Sequence, residues 1–212
     1  RRRGFSIILQ HSPYVVLVPR YSHAMPPVNS NIRQDRREEV LETVVDYMLE
    51  SGLGNMSLRA LAAAVGTSDR MLLYYFDDKN DLMLSAFECF VQRLSARLGE
   101  MLPAGRQSFD VLLKQMWIML KAPEYEPYVR IWYDALGHAS HGEELYRSMT
   151  NRVVDEWLEF FESRLNAPPA QRRDQIAALV AAVCGLVMMR YIGRVDEADV
   201  AADVLTRKVR GS

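Results

Sequence analysis

The sequence predicts an all-α protein. Apolar residues recur every three or four positions along successive stretches, and no stretch alternates with the two-residue period of a strand. Gly and Pro clusters punctuate the chain between the periodic stretches. At 212 residues the chain fits one large domain or two small ones, with ample length for a core. The hydrophobic share of 49% and charged share of 25% are those of an ordinary soluble protein, and a net charge of −1 argues neither for nor against nucleic acid. Cys89 and Cys184 fall in apolar helical runs and read as buried free thiols of a reducing cytoplasm. No apolar run reaches the roughly 20 residues that cross a bilayer, so no membrane partner is expected.

Residues 1–30 differ from the rest. RRRGFSIILQHSPYVVLVPRYSHAMPPVNS has no helical period and no acid. The apolar run Phe5–Leu9 is too short for a secretory signal and is broken by Gln10, His11 and Ser12. Three readings stay open. Met25 is the true start and residues 1–24 lie upstream of it, or the segment is a basic arm on a DNA backbone, or Tyr14–Val18 is a short contact strand.

The first helix is predicted over Asp35–Ser51. Val40, Leu41, Val44, Val45, Met48 and Leu49 form its apolar stripe, with Glu38, Glu39, Glu42 and Asp46 as a solvated face. Ser51-Gly52-Leu53-Gly54 stops it. Ser57 then caps a two-turn helix whose apolar positions are Leu58, Leu61, Ala62 and Val65, and Gly66 ends it. Thr67, Ser68 and Asp69 open another helix bearing Met71, Leu72, Tyr75 and Phe76. Neither short helix can bury much alone. Joined by a tight Gly-containing turn they match a helix-turn-helix, whose second helix can enter a major groove.

Asp77-Asp78-Lys79 turns the chain into a helix over Asn80–Met101, with no flexible linker, so a shift of this helix must move the motif before it. Pro103, Ala104 and Gly105 break it. Further helices follow over Phe109–Lys121, Tyr128–His138, Glu143–Asn166, Gln171–Ile192 and Asp196–Val209. The stretch IAALVAAVCGLVMM inside 171–192 is apolar nearly all round, which predicts burial on more than one side. A monomer would leave part of it bare, so two copies are expected to pair through 171–192 and 196–209.

SLRALAAAVGTS, then LLYYF, then Lys79-Asn80-Asp81-Leu82 resembles the DNA-binding domain of the TetR family of transcriptional regulators, over about residues 33–93. The helices beyond match in pattern only and look broadly like BetI-type C-terminal domains. The resemblance implies an arm over 1–32, a DNA-binding domain over 33–93 and a helical regulatory and dimerisation domain over 94–212. It implies a cytoplasmic regulator, a repressor, released from a pseudo-palindromic double-stranded DNA operator by a small apolar or amphipathic inducer. Ser57 and Arg59 would face phosphates, and Thr67, Ser68, Asp69, Arg70 and Met71 would open the recognition helix. Arg70 is the expected base reader, because a guanidinium can bridge both major-groove acceptors of guanine. Tyr74 and Tyr75 would touch the backbone or thymine methyls, and Lys79 a phosphate. Arg33, Arg36 and Arg37 would extend the positive side near the backbone. Many relatives have Gly-Thr where Arg70-Met71 stand and His at Tyr75, so the reading surface is individual to this chain.

Plainer readings stand beside these. Leu72, Leu73 and Phe76 read as core of the small domain, and Met71 reads equally as core or contact. Arg59 can be a solvated charge and Lys79 a helix-start residue. Charge does not help the DNA reading: between Asn31 and Leu82, ten Asp or Glu face Arg33, Arg36, Arg37, Arg59, Arg70 and Lys79. Phe87, Phe90, Trp117, Tyr128, Trp132, Tyr133 and Trp157, with Met116 and Met149, read either as packed core or as walls of an inducer pocket. His138 and His141 before Glu143 mimic a metal pair, but Gly142 should end the helix that would align them, so no metal or other cofactor is expected. With no Gly-rich phosphate loop, GxSxG or Cys-x-x-Cys, no enzyme is expected. An all-α enzyme or small-molecule carrier, in which the motif is only a packed hairpin, is the alternative.

Overall fold

The computed structural model describes residues 28–102 and 104–208. The described residues form an all-helical fold: α1 (Val28–Ser51), α2 (Leu58–Val65), α3 (Asp69–Tyr75), α4 (Lys79–Met101), α5 (Phe109–Leu120), α6 (Glu126–Ser140), α7 (Glu144–Arg164), α8 (Pro169–Tyr191) and α9 (Val195–Lys208). One-turn 3₁₀ segments at Leu53–Asn55 and Pro123–Tyr125 join α1 to α2 and α5 to α6. The open readings for residues 1–24 lie outside the described residues.

Helix α1 begins seven residues before the predicted Asp35 and so takes residues 28–32 from the segment assigned to the arm. Ile32 near its start is exposed. Extending an existing helix is cheap. Gln34 donates to Glu38 at 2.8 Å and Arg36 to Glu39 at 2.6 Å, pairs that support a helix end locally.

The head is α1 braced against α2 and α4, with α3 packed on α2. Val40, Val44, Val45 and Met48 of α1 are fully buried with Leu61, Ala62, Leu72, Phe76, Leu82 and Phe87. The acids of α1, expected to form a solvated face, do more than meet water. Arg93 of α4 donates to both Glu42 and Asp46 and clamps α4 to α1, and its guanidinium holds the Glu42 carboxylate below its usual range. The body packs α6 on α7, α4 on α7, and α5 on both α8 and α9. One continuous apolar core runs through head and body. An isolated bridge pairs Gln107 with Leu165, where Gln107 N–H donates to the Arg164 carbonyl at 2.7 Å.

Two expectations need correcting. Helix α8 is long and apolar enough by length and composition to cross a bilayer, contrary to the sequence expectation, because its charges sit only near its ends. It is a packed core helix: Ile176, Leu179, Val183 and Leu186 are buried, and α8 packs on α5, α7 and α9. Nor is α8 buried on more than one side within this chain. Ala177, Ala178, Ala181 and Met188 are exposed, and Val200 and Val204 of α9 are exposed too. The cysteines are unpaired and half-buried, and burial pushes both thiols up to about 11, so they stay protonated at neutral pH.

Candidate DNA-binding interface and effector cavity

The sequence builds α3 from both ends. Ser57 accepts from the Ala60 N–H at 3.2 Å and starts α2. Gly66 ends α2 in the left-handed region at φ 71°, where its N–H reaches the Ala62 and Ala63 carbonyls. Ser68 then accepts from the Met71 N–H at 3.3 Å and caps α3. Asp69 sits in the first turn, where the helix dipole favours an acid. Ser68→Ala is expected to lower the unfolding free energy by about 1 kcal/mol, read as a lower denaturant midpoint with an unchanged slope.

Helix α3 shows one buried stripe, Leu72 and then Phe76 just past its end. Leu73, read as core from the sequence, is 43% exposed. A residue next to Leu72 is turned about 100° away from it on a helix, and a seven-residue helix has only one core face. Arg70, Met71, Leu73 and Tyr74 line a single open depression instead. Met71 is 42% and Tyr74 57% exposed, and Tyr75 is half-buried with its ring edge-on to Tyr74. Ser57, Arg59, Ser68, Asp69 and Lys79 are exposed, and Thr67 is half-buried. So Ser57 and Ser68 are caps in addition to whatever they touch outside the chain.

Two arginines hold the far end of α3, a role that sequence spacing does not reveal. Arg33 donates to the Tyr74 carbonyl at 2.7 Å and its guanidinium lies 4.9 Å from the centre of that ring. Arg37 lies 4.6 Å from the centre of the Phe76 ring and donates to Ser85 at 2.8 Å. Instead of reaching out toward a phosphate backbone, both pack on α3 and the start of α4. At the next corner Asp78 accepts from the Asp81 N–H at 2.9 Å, and Asp81 accepts from the Asp77 N–H at 3.0 Å. Much of the head's acid is thus engaged in caps and clamps. Glu42 and Asp46 are paired with Arg93, and Asp78 and Asp81 hold the turn into α4, so part of the counted acid has a structural use within the head.

In the body, Phe90, Tyr128, Trp132 and Trp157 meet around one apolar cavity of about 30 Å³, together with Cys184 and Val187 of α8. Phe90 stacks on Tyr128 with centroids 5.3 Å apart, and Trp132 lies 5.5 Å from Trp157. The other three candidate residues do not line it. Phe87 stacks on Phe90 with centroids 5.2 Å apart. Trp117 donates its indole N–H to Asp199 at 2.7 Å, tying α5 to α9. Tyr133 donates to the Cys184 carbonyl at 3.0 Å. His138 pairs with Glu143 at 2.6 Å and stacks on Tyr146, while α6 ends at Ser140 before it could align His141. Among the described residues no group of three His, Cys, Asp or Glu could hold a metal ion.

Helix α6 joins cavity and head. Tyr128, Val129 and Trp132 are in the cavity wall. Arg130 donates to the Leu49 carbonyl and, at 3.3 Å, to the Glu50 carbonyl, covering the C-terminal end of α1. Asp134 accepts from the Leu53 N–H at 3.5 Å, close against Gly52, whose φ of 75° turns the chain there.

Residues 41–86 match the sequence model of the family described as bacterial regulatory proteins, tetR family. Residues 41–86 therefore form a TetR-type helix-turn-helix domain. With that domain at its head, the chain reads as a DNA-binding transcriptional regulator and not as an enzyme. It is 22% identical over 178 residues to the HTH-type transcriptional regulator BetI of Ectopseudomonas mendocina, covering 83% of this chain and 79% of that protein. A TetR-family regulator structure from Cytophaga hutchinsonii superposes with a TM-score of 0.66 at 14% identity, over 85% of this chain and 96% of that one. A regulator structure from Saccharomonospora viridis in complex with choline superposes with a TM-score of 0.53 at 18% identity, over 82% and 96%. At these identities the two structures establish a shared fold. The matched segment covers the buried half of α1, all of α2 and α3, and the start of α4.

Proposed function

We propose that this regulator is a cytoplasmic homodimeric repressor, with a DNA-binding head over 33–93 and a regulatory body over 94–212. The position of α6 carries the reading, with one part of the helix in the cavity wall and another on the end of α1. Two heads on a two-fold dimer would set two α3 helices in successive major grooves of a pseudo-palindromic operator. Arg70 is assigned to base edges, Tyr74 and Tyr75 to methyls and backbone, Ser57, Arg59 and Lys79 to phosphates, and Thr67, Ser68, Asp69 and Met71 to the opening turn of the recognition helix. Its high exposure at the N-terminal end of a capped helix supports Arg70. The bare apolar face of α8 and α9 supports the dimer.

The cavity of about 30 Å³ holds no more than a water, whereas small-molecule sites run to several hundred Å³. An inducer must therefore open the body. Prising α6 outward would loosen its hold on α1 and change the spacing of the two heads. A ligand moves this equilibrium only by its affinity difference between the two states. The choline bound to a protein of this fold is consistent with a small-molecule effector in the body.

Selection of bound fragments from DNA upstream of the gene tests the DNA reading; no retained fragment at low salt would sink it. Arg130→Ala tests the relay. A compound that releases DNA from the wild-type protein should bind the variant equally well, yet shift its DNA affinity by under about threefold. Typical couplings are 5–150-fold. Undiminished release from the variant would remove α6 from the relay.

A further inference from the structure

The cavity of the body contains one chemical demand that its shape does not reveal. Trp132 is nine-tenths buried, lies in the cavity wall, and its indole N–H has no acceptor among the described residues. Buried tryptophans ordinarily find one, because an N–H stripped of water and left unpaired is costly. Trp117 in the same body does so, donating to Asp199. Everything else in the cavity wall is apolar or aromatic, apart from the Cys184 thiol, and no carboxylate lines it. Burial keeps that thiol protonated.

Four aromatic rings suggest a cage for an organic cation, but two features oppose it. A cation buried without a carboxylate loses its hydration with no counter-charge in return. Moreover, the Arg97 guanidinium already lies 5.7 Å from the centre of the Tyr128 ring, so a second positive charge against that ring meets repulsion. An anion fares no better, since no cationic side chain lines the cavity. What remains unmet is a single hydrogen-bond donor in an apolar box.

We propose that the effector of this protein is a neutral, largely aromatic or apolar molecule carrying one hydrogen-bond acceptor, such as a carbonyl oxygen, which pairs with Trp132. This rests on the reading of the body as an effector-binding unit. The acceptor gives the site its selectivity. A site with a buried unpaired donor rejects an isostere that lacks the acceptor, because the isostere leaves the donor unpaired in the filled cavity. The aromatic walls supply affinity and enclose the ligand. Its bulk supplies the opening of α6.

The test uses the full-length protein and three probes: acetophenone, α-methylstyrene and choline. The first two are nearly isosteric and differ by a carbonyl oxygen in place of a methylene. Binding is followed by tryptophan fluorescence and by the indole N–H signals in proton–nitrogen spectra. Acetophenone should bind at least tenfold more tightly than α-methylstyrene, shift one indole N–H signal downfield, and outcompete choline. In Trp132→Phe that preference should shrink to less than about twofold, and in Trp117→Phe, the control outside the cavity wall, it should persist. The wild-type probe pair decides the matter even if a variant folds poorly. Equal binding of acetophenone and α-methylstyrene, or tighter binding of choline, overturns the acceptor proposal while leaving the cavity as a ligand site. No binding of any probe at millimolar concentration overturns both.

Discussion

Arg70→Ala is expected to weaken operator binding by about 30-fold to 10⁴-fold. A bidentate guanidinium–guanine contact is worth roughly 1–3 kcal/mol, and a two-fold dimer makes it twice. The loss should be much larger on the operator than elsewhere. On the same duplex with the contacted guanines replaced, the gap between wild type and variant should shrink to the effect of one lost charge per subunit, because the variant has lost a reader as well as a charge. Arg70 is exposed on α3, so the unfolding free energy should move by less than about 0.5 kcal/mol. Lys79→Ala gives the contrasting pattern. At the first position of α4 it presents a charge beside the free N–H groups of a helix start. Its loss should weaken binding to all sequences similarly and lower the salt slope by about two for the dimer. Anisotropy titrations at several salt concentrations separate the two patterns. Equal losses on operator and altered duplex for Arg70→Ala would strip it of the reading role.

Ala181→Glu with Val200→Glu should split the dimer and cost operator binding about 10²–10⁴-fold. Both residues are exposed, one on α8 and one on α9, so the monomer's own core is untouched. Carboxylates facing their symmetry mates would be desolvated and repel each other. Each head would then bind its half-site alone and lose the high effective concentration that the first contact confers on the second. Sedimentation at micromolar concentration should show a dimer for the wild type and a monomer for the variant. A wild-type monomer, or a variant dimer with unchanged affinity, would remove α8 and α9 as the pairing surface.

Most of the head is legible in the amino-acid sequence, for a local reason. The Ser57 and Ser68 caps, the left-handed Gly66 and the apolar pair Leu72 and Phe76 all act within a few residues of chain. Their meaning is readable from spacing alone. Leu73 shows where this stops. Its type says core, but only the direction in which Leu72 points reveals that Leu73 faces outward. The aromatic set behaves similarly. Seven rings are plausible walls for a pocket, and only the crossing of α4, α6, α7 and α8 selects Phe90, Tyr128, Trp132 and Trp157. Trp117 and Tyr133 are claimed by partners 82 and 51 positions away.

The sequence by itself determined the helices, the caps of the reading motif and the family whose DNA-binding domain that motif matches, because helical period and capping are short-range properties of the chain. Tertiary structure alone decided the uses of the long-range charges. Arg33 and Arg37 hold α3, Arg93 clamps α4 to α1, and Arg130 and Asp134 tie α6 to the end of α1. Each of these side chains meets groups between 41 and 81 positions away in the chain. No local pattern can encode such a partner, since an arginine on a helix face looks the same whether it meets a phosphate, a carbonyl or water. The orphaned N–H of Trp132 belongs to the same class, because an unmet hydrogen bond exists only once the core has closed around it.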